Sequence, residues 1–437
     1  MDALPQEIER RLGTIGTADI VIGIPSFNNA VTIGEVMSAA QAGLHSSFGA
    51  ARSVIVRVDA AARDSSLELG SSSSAPASQP SSNGSEPQLL QLAQAVDGVN
   101  PHATAQYVKP AKGSACRSVF EVARRLRAKA CGIVDADAGS PAADAIARLV
   151  KPIMQDSYDY VAPVYTRGAF SGTITSAIAY PLTRALFGRQ VRQPLAGDFA
   201  CSARLIDRFV ALDPWRSDVP RMGIDVWVTT QALTAGARVC QVHLGARGPT
   251  GAGIEAAASL DMRDALPSVL GSLFTSVERT EAVWQKIRGS EPVDAFGLQE
   301  PAEPEASPFD VRQCLEAFRL GVANLHEIWS VALPPTSLHA LRKLARVPDA
   351  QFRLPDELWA RVVYDFALGF HQRRLGREHL LAAFTPLFWA WIASFVQQVA
   401  TLDAQQVEDR IEALCVQFEA EKPYLISRWR WPDRFTP

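Results

Sequence analysis

Short apolar runs alternate with amphipathic stretches along roughly the first 290 residues. ADIVIGIP (Ala18–Pro25) and SVIVRVD (Ser53–Asp59) have the length and continuous hydrophobicity of buried strands. CGIVDAD (Cys131–Asp137) is a third such run, and it ends abruptly in two carboxylates with one alanine between them. TIGEVMSAAQAGL (Thr32–Leu44) and KGSACRSVFEVARRLRAKA (Lys112–Ala130) carry a helical period between the strands. PQLLQLAQAV (Pro87–Val96) reads as a further helix, and AQYVKP (Ala105–Pro110) as a further strand. Strands alternating with helices predict an α/β domain over residues 1–290 with a mostly parallel sheet. Residues 65–87, dense in Ser, Pro and Gly, bury too little apolar surface to offset their ordering entropy, and they predict a flexible surface insertion.

Residues 291–308 are acidic, Pro-rich and aperiodic, and read as a linker. Residues 309–437 are helical in pattern throughout and predict a second, all-helical domain. Within it, Leu380–Val396 carries no charge over about the shortest length that spans a bilayer. Pro386, Thr385 and Ser394 interrupt and dilute it, so it is read as buried helix and no membrane span is expected.

The chain is 437 residues long, 47% hydrophobic and 20% charged, with a net charge of −3, which describes a globular protein with a sizeable core. A balance this close to neutral gives no reason to expect nucleic acid as a partner. The six cysteines are scattered and form no CxxC pair, so reduced, buried thiols and a cytoplasmic location are expected.

In a parallel sheet, ligands bind beyond the carboxyl ends of the strands. Asp59, Asp135 and Asp137 all stand there. A D-x-D pair after a strand suits an oxygen-ligated Mg²⁺ or Mn²⁺ that bridges a diphosphate, although the pair alone also fits a solvated acidic turn. KPAKGSA (Lys109–Ala115) sets two lysines and a glycine at the start of a helix, where amide N–H groups and an ammonium suit phosphate. IPSFNNA (Ile24–Ala30) follows the first strand with residues able to hold a base or ribose. No GxGxxG follows a strand and no GxxxxGK[ST] is present, which removes the support for a dinucleotide or P-loop enzyme.

In this order, and followed by YVAPVY, GTITSAIAYPLTRALFG, RQPLAGDFACS, GIDVWVTTQAL and VCQVHLGAR, these segments resemble the nucleotide-sugar glycosyltransferases of GT-A fold. Within that group they resemble the retaining glucosylglycerate, mannosylglycerate and glucosyl-3-phosphoglycerate synthases. LPDELWARVVYDFALGFHQRR and KPYLISRWRW are similar to the helical tail of the glucosylglycerate type. The resemblance implies a GT-A domain, Rossmann-like with a mixed, mostly parallel sheet, then a helical domain that packs on it and aids formation of a homodimer. It implies transfer of glucose or mannose from a nucleoside-diphosphate sugar to a small hydroxy acid such as glycerate, with retention of configuration and a divalent metal.

The resemblance also implies roles. Pro25, Ser26, Asp59, Lys112, Gly113, Asp135 and Gly197 would bind the donor, and Asp135 with Asp137 would hold the metal. Gly172, Thr173, Thr175 and Arg247 would meet the acceptor, and Asp198 and Asp225 would support the transferred sugar. Three departures stand out. Pro249 occupies the position of a metal-binding histidine, and it offers no ligand atom; His243 is a candidate substitute. The Asp59 turn reads VDAAARDSS in place of a Gly-rich turn, and Gly168 stands where the glucosylglycerate type has histidine. They open a second reading: a nucleotide-sugar-binding homologue with weakened or no turnover. A sugar nucleotidyltransferase is disfavoured, since the Gly-rich N-terminal loop of such enzymes is absent.

Overall fold

The computed structural model describes residues 4–26, 32–60, 86–94, 109–136, 143–212, 223–246, 262–300, 302 and 306–431. They form two compact units that are not contiguous in sequence. The first takes its residues from 1–166, 195–253 and 293–299, and the second from 167–194, 254–292 and 300–437. Segments that a single boundary near 290 would give to the α/β domain therefore pack in the helical unit.

The first unit is built on an eight-stranded sheet. Its strands are β1 (Ile20–Ser26), β2 (Ser53–Ala60), β3 (Gln88–Gln94), β4 (Ala130–Ile133), β5 (Tyr160–Thr166), β6 (Phe199–Ser202), β7 (Val239–Ala246) and β8 (Asp294–Phe296). Their order across the sheet is β8-β7-β5-β6-β4-β1-β2-β3. β6 runs antiparallel to both β4 and β5, and every other pairing is parallel. This is the mixed, mostly parallel sheet expected for the GT-A resemblance. Its centre is apolar, with Ile20, Val21, Ile22, Ile24, Val56 and Val161 fully buried. The helix Lys109–Arg125 lies so close to β1 that a Cβ on Gly23 would come within 2.5 Å of a Val119 methyl, so only glycine fits there.

Several sequence expectations are corrected. Residues 87–96 do not form a helix: Gln88–Gln94 is β3, paired in parallel with β2. Leu, Gln and Ala favour helix locally, but Leu90 and Leu92 lie two apart and are both buried, so pairing at the sheet edge overrides propensity. The helix read over Lys112–Ala130 begins earlier, at Lys109, and ends at Arg125. Arg127 adopts a left-handed conformation (φ 53°) that turns the chain out of the helix and into β4. Lys109 and Pro110 thus belong to this helix, not to a strand; the rest of that expected strand lies outside the described residues. The stretch read as a linker supplies β8, which adds to β7 at the sheet edge. The Tyr158 hydroxyl donates to Asp294 at 2.5 Å, and the Tyr158 and Phe296 rings meet edge to face. Two residues more, Glu291–Pro292, pair with Arg189–Gln190 in the second unit.

The second unit is helical. Trp359 is at its centre, packed against Phe384, Phe388 and Trp391, with its indole N–H donating to the Ala177 carbonyl at 2.9 Å. The helix Ala404–Arg430 starts at a capping box between Asp403 and Gln406. Lys422, on the same helix, reaches the carbonyls of Ala185 and Ile287 at 2.7 and 3.0 Å. By length and composition, the helical stretch Arg377–Val399 is the one among the described residues that could cross a membrane, and 72% of its apolar window is buried within the protein. Pro386 falls in the first turn of its second helix, Thr385–Val399. All six cysteines are buried free thiols.

One buried ion pair in this unit sets a pH dependence. Asp365 accepts from the Tyr424 hydroxyl at 2.9 Å and pairs with Arg428 at 3.1 Å. Burial pushes its carboxyl up to about 7, against the pull of Arg428. Unfolded, the same group titrates at about 4. Its contribution to stability is therefore complete below pH ~4 and is lost as pH rises through about 7. Urea midpoints should fall between pH 5 and pH 8 for the natural chain and change less for Asp365→Asn; equal pH responses would show that the carboxyl is not held protonated.

Candidate functional site

The reversal of β6 determines which residues meet. Because β6 runs opposite to its neighbours, its amino end lies where β4 and β5 end. Continuing the register two residues beyond the Ile133–Phe199 pair sets Asp135 against Gly197. The approach is close: a Cβ on Gly197 would stand 2.2 Å from Asp135 Oδ2 and 3.1 Å from Lys112 Nζ. A side chain at position 197 would displace the Asp135 carboxylate or the Lys112 ammonium, and the glycine of the GDFA stretch has that physical role.

Lys112, in the first turn of the helix Lys109–Arg125, projects its ammonium into this edge. Nζ lies 2.8 Å from Asp135 Oδ2, 3.0 Å from Asp225 Oδ1 and 3.2 Å from the Gly197 carbonyl. Asp225 stands in the first turn of the helix Ile224–Thr234, where the helix dipole favours a negative charge. The side chains of Lys112, Asp135 and Asp225 are 17%, 22% and 21% exposed, open enough for a ligand and closed enough for strong charge interactions. Burial works against the Lys112 charge, but the carboxylates of Asp135 and Asp225 outweigh it. The ammonium keeps its proton well above the ordinary lysine range. Cys116, one turn further along the helix, has its thiol pushed up by burial, which removes it as a nucleophile.

Asp198 is buried, and both its carboxylate oxygens are engaged. Oδ1 accepts from the Asp135 backbone N–H at 2.7 Å, and Oδ2 accepts from the Tyr165 hydroxyl. In this arrangement it is a positioning residue, fixing the backbone that carries Asp135. Tyr165, at the end of β5, was not singled out from sequence, since it is embedded in the apolar run YVAPVY.

Ser26 and Asp59 stand opposite each other at the ends of β1 and β2, and the Ser26 hydroxyl donates to Asp59. Arg57, wholly buried, pairs with the same carboxylate at 2.7 Å. Asp59 thus sits in a buried arrangement with Arg57, a residue whose only sequence signal is its two-residue spacing from Asp59 on one face of β2. Pro25 is buried opposite Val58, and Gly113 is buried in the helix beside Lys112.

Gly172 (φ 73°), Thr173 and Thr175 belong to the second unit, where both threonines are buried and Thr175 opens a π-helical turn, Thr175–Ala179. Asp137, Arg247 and Pro249 lie outside the described residues. His243 is on β7, three places from β4 in the sheet, or roughly 14 Å at the usual strand spacing. It does not complete a metal shell at Asp135. Among the described residues, no three His, Cys, Asp or Glu side chains gather to hold a metal. The donor set around Lys112 Nζ still fits a hard divalent ion in kind: two carboxylates and a carbonyl, all oxygen.

No protein-family model matches the chain, and no curated protein does. Among solved structures it is similar to glucosyl-3-phosphoglycerate synthase from Mycobacterium tuberculosis. Against the complex of that enzyme with Mg²⁺ and uridine diphosphate, the identity is 18% and the TM-score 0.41, over 61% of this chain and 83% of that one. Against its complex with Mn²⁺, uridine diphosphate and phosphoglyceric acid, the identity is 17% and the TM-score 0.39, over 60% and 82%.

The geometry makes two stability predictions. Gly197→Ala forces a methyl into the Asp135 carboxylate and should cost about 1–3 kcal/mol in chemical denaturation. A variant as stable as the natural chain would mean that this approach is looser than described. Tyr165→Phe removes the hydroxyl that donates to Asp198 Oδ2 and should cost about 1–3 kcal/mol; no loss would remove Tyr165 from the positioning chain.

Proposed function

We propose that this chain is a glycosyltransferase that takes a nucleoside-diphosphate sugar and transfers the sugar, with retention, to a small hydroxy acid such as glycerate or its phosphate. The observation that carries this reading is the meeting of Lys112, Asp135, Gly197 and Asp225 at the carboxyl edge of the sheet, held by Asp198. The resemblance of the ordered segments from IPSFNNA to VCQVHLGAR supports it.

In this reading the Lys112 ammonium neutralises negative charge on the departing diphosphate. Asp225 supports positive charge developing on the sugar ring. The bond from the anomeric carbon to the diphosphate breaks as the acceptor oxygen bonds to that carbon from the same face. The acceptor proton passes to the departing phosphate oxygen, so no strong base is required. Mg²⁺ or Mn²⁺, held by Asp135 with Asp137, would supply further neutralisation of the leaving group. Thr173, Thr175 and Arg247 are the proposed acceptor contacts.

The alternative, donor binding without turnover, is favoured by Pro249 at the position of the expected histidine. Incubation with UDP- and GDP-sugars, glycerate and 3-phosphoglycerate, with Mg²⁺ or Mn²⁺ and mass-spectrometric detection, separates the two. A glycosylated acid is expected, with kcat lowered about 100-fold or more in Asp225→Asn. Nucleotide binding by calorimetry without product would favour the alternative, and no binding of any nucleotide would overturn both.

A further inference from the structure

We infer that the Lys112 ammonium is the resident cation of this site and competes with divalent metal for Asp135, so that metal binds strongly only when a diphosphate draws Lys112 away. An ammonium has three donors, and Asp135 Oδ2, the Gly197 carbonyl and Asp225 Oδ2 accept them at 2.8, 3.2 and 3.3 Å, with Asp225 Oδ1 also close at 3.0 Å. The point where these oxygens converge is where a hard cation would sit, and Nζ occupies it. A divalent ion bound to Asp135 Oδ2 would lie within van der Waals reach of Nζ, like charge against like charge.

The ammonium is anchored there. Its helix is pressed against β1 at Gly23, and the missing side chain of Gly197 is what lets the third oxygen come within reach. Free metal therefore finds its carboxylate already neutralised. A nucleoside diphosphate changes the balance, because its phosphates offer Lys112 a new anionic partner and leave Asp135 to the metal. Metal and diphosphate then bind with positive coupling, each raising the affinity for the other by the same factor. The nucleotide half of this inference rests on the glycosyltransferase reading; the metal-alone half does not.

The test is a titration with Mn²⁺ alone, followed by calorimetry and by the EPR signal of free Mn²⁺. The natural chain should bind weakly. Lys112→Gln, which removes the ammonium from between the two carboxylates, should bind at least about tenfold more tightly. Lys112→Arg, which keeps the charge, should stay weak, and adding Asp135→Asn to Lys112→Gln should abolish the gain. If Lys112→Gln folds poorly, Mn²⁺ should restore its thermal transition. Equal Mn²⁺ affinity in the natural chain and Lys112→Gln, a gain that survives Asp135→Asn, or a Lys112→Gln variant that Mn²⁺ fails to restore would each overturn the inference. A parallel titration with UDP and GDP separates the two claims. If neither nucleotide binds any variant, the transferase reading fails while the Mn²⁺ result stands. If nucleotides bind but Lys112→Gln gains no Mn²⁺ affinity, this inference alone fails.

Discussion

β6 runs against the strands on both sides of it, and the geometry of the site depends on that reversal. In a sheet of parallel strands alone, the chain would enter each strand at one edge and leave its functional loops at the other. With β6 reversed, Gly197 and Asp198 precede a strand yet arrive at the edge where β4 releases Asp135. The antiparallel register then determines which atoms touch. Asp135 faces Gly197, and the Asp198 carboxylate closes on the Asp135 backbone N–H. Helix starts supply the remaining charges, Lys112 from one and Asp225 from the other.

Charge balance gives this edge its chemistry. Two partly buried carboxylates facing each other without a cation would be costly, and a half-buried lysine without an anion would tend to lose its proton. Placed together they stabilise one another, and the ammonium remains charged despite burial. The same principle operates at Asp59, where a fully buried arginine takes the neutralising part, and at Asp365 in the helical unit, where burial outweighs the nearby guanidinium. At three places in the chain, carboxylates and cations thus meet at different depths of burial.

Much of the sheet was legible because β1, β2 and β4 are short, predominantly apolar runs in the sequence. β3 was not, since its leucines and glutamines favour helix and only long-range pairing with β2 reveals the strand. β8 was hidden for the opposite reason: its three residues are exposed and sit in an acidic, Pro-rich stretch. At the site, Lys112 and Asp135 stood out from local motifs, while Gly197, Asp198 and Asp225 were singled out through the family resemblance. That Asp198 acts on Asp135 rather than facing outward was not legible, because it follows from register between strands far apart in sequence. Tyr165 and Arg57 gave little signal for a similar reason, one lost in an apolar strand and the other known only by its spacing from Asp59.

The late arrival of β8 bears on how the protein comes off the ribosome. The sheet begins at Ile20 but receives its last strand only at Asp294–Phe296, after the chain has twice left to contribute to the helical unit. No prefix shorter than about 296 residues holds a complete sheet. During synthesis, β7 therefore waits as an open edge while the polypeptide between it and β8 is translated, a period in which strand pairing with another nascent chain has the same geometry as the correct closure.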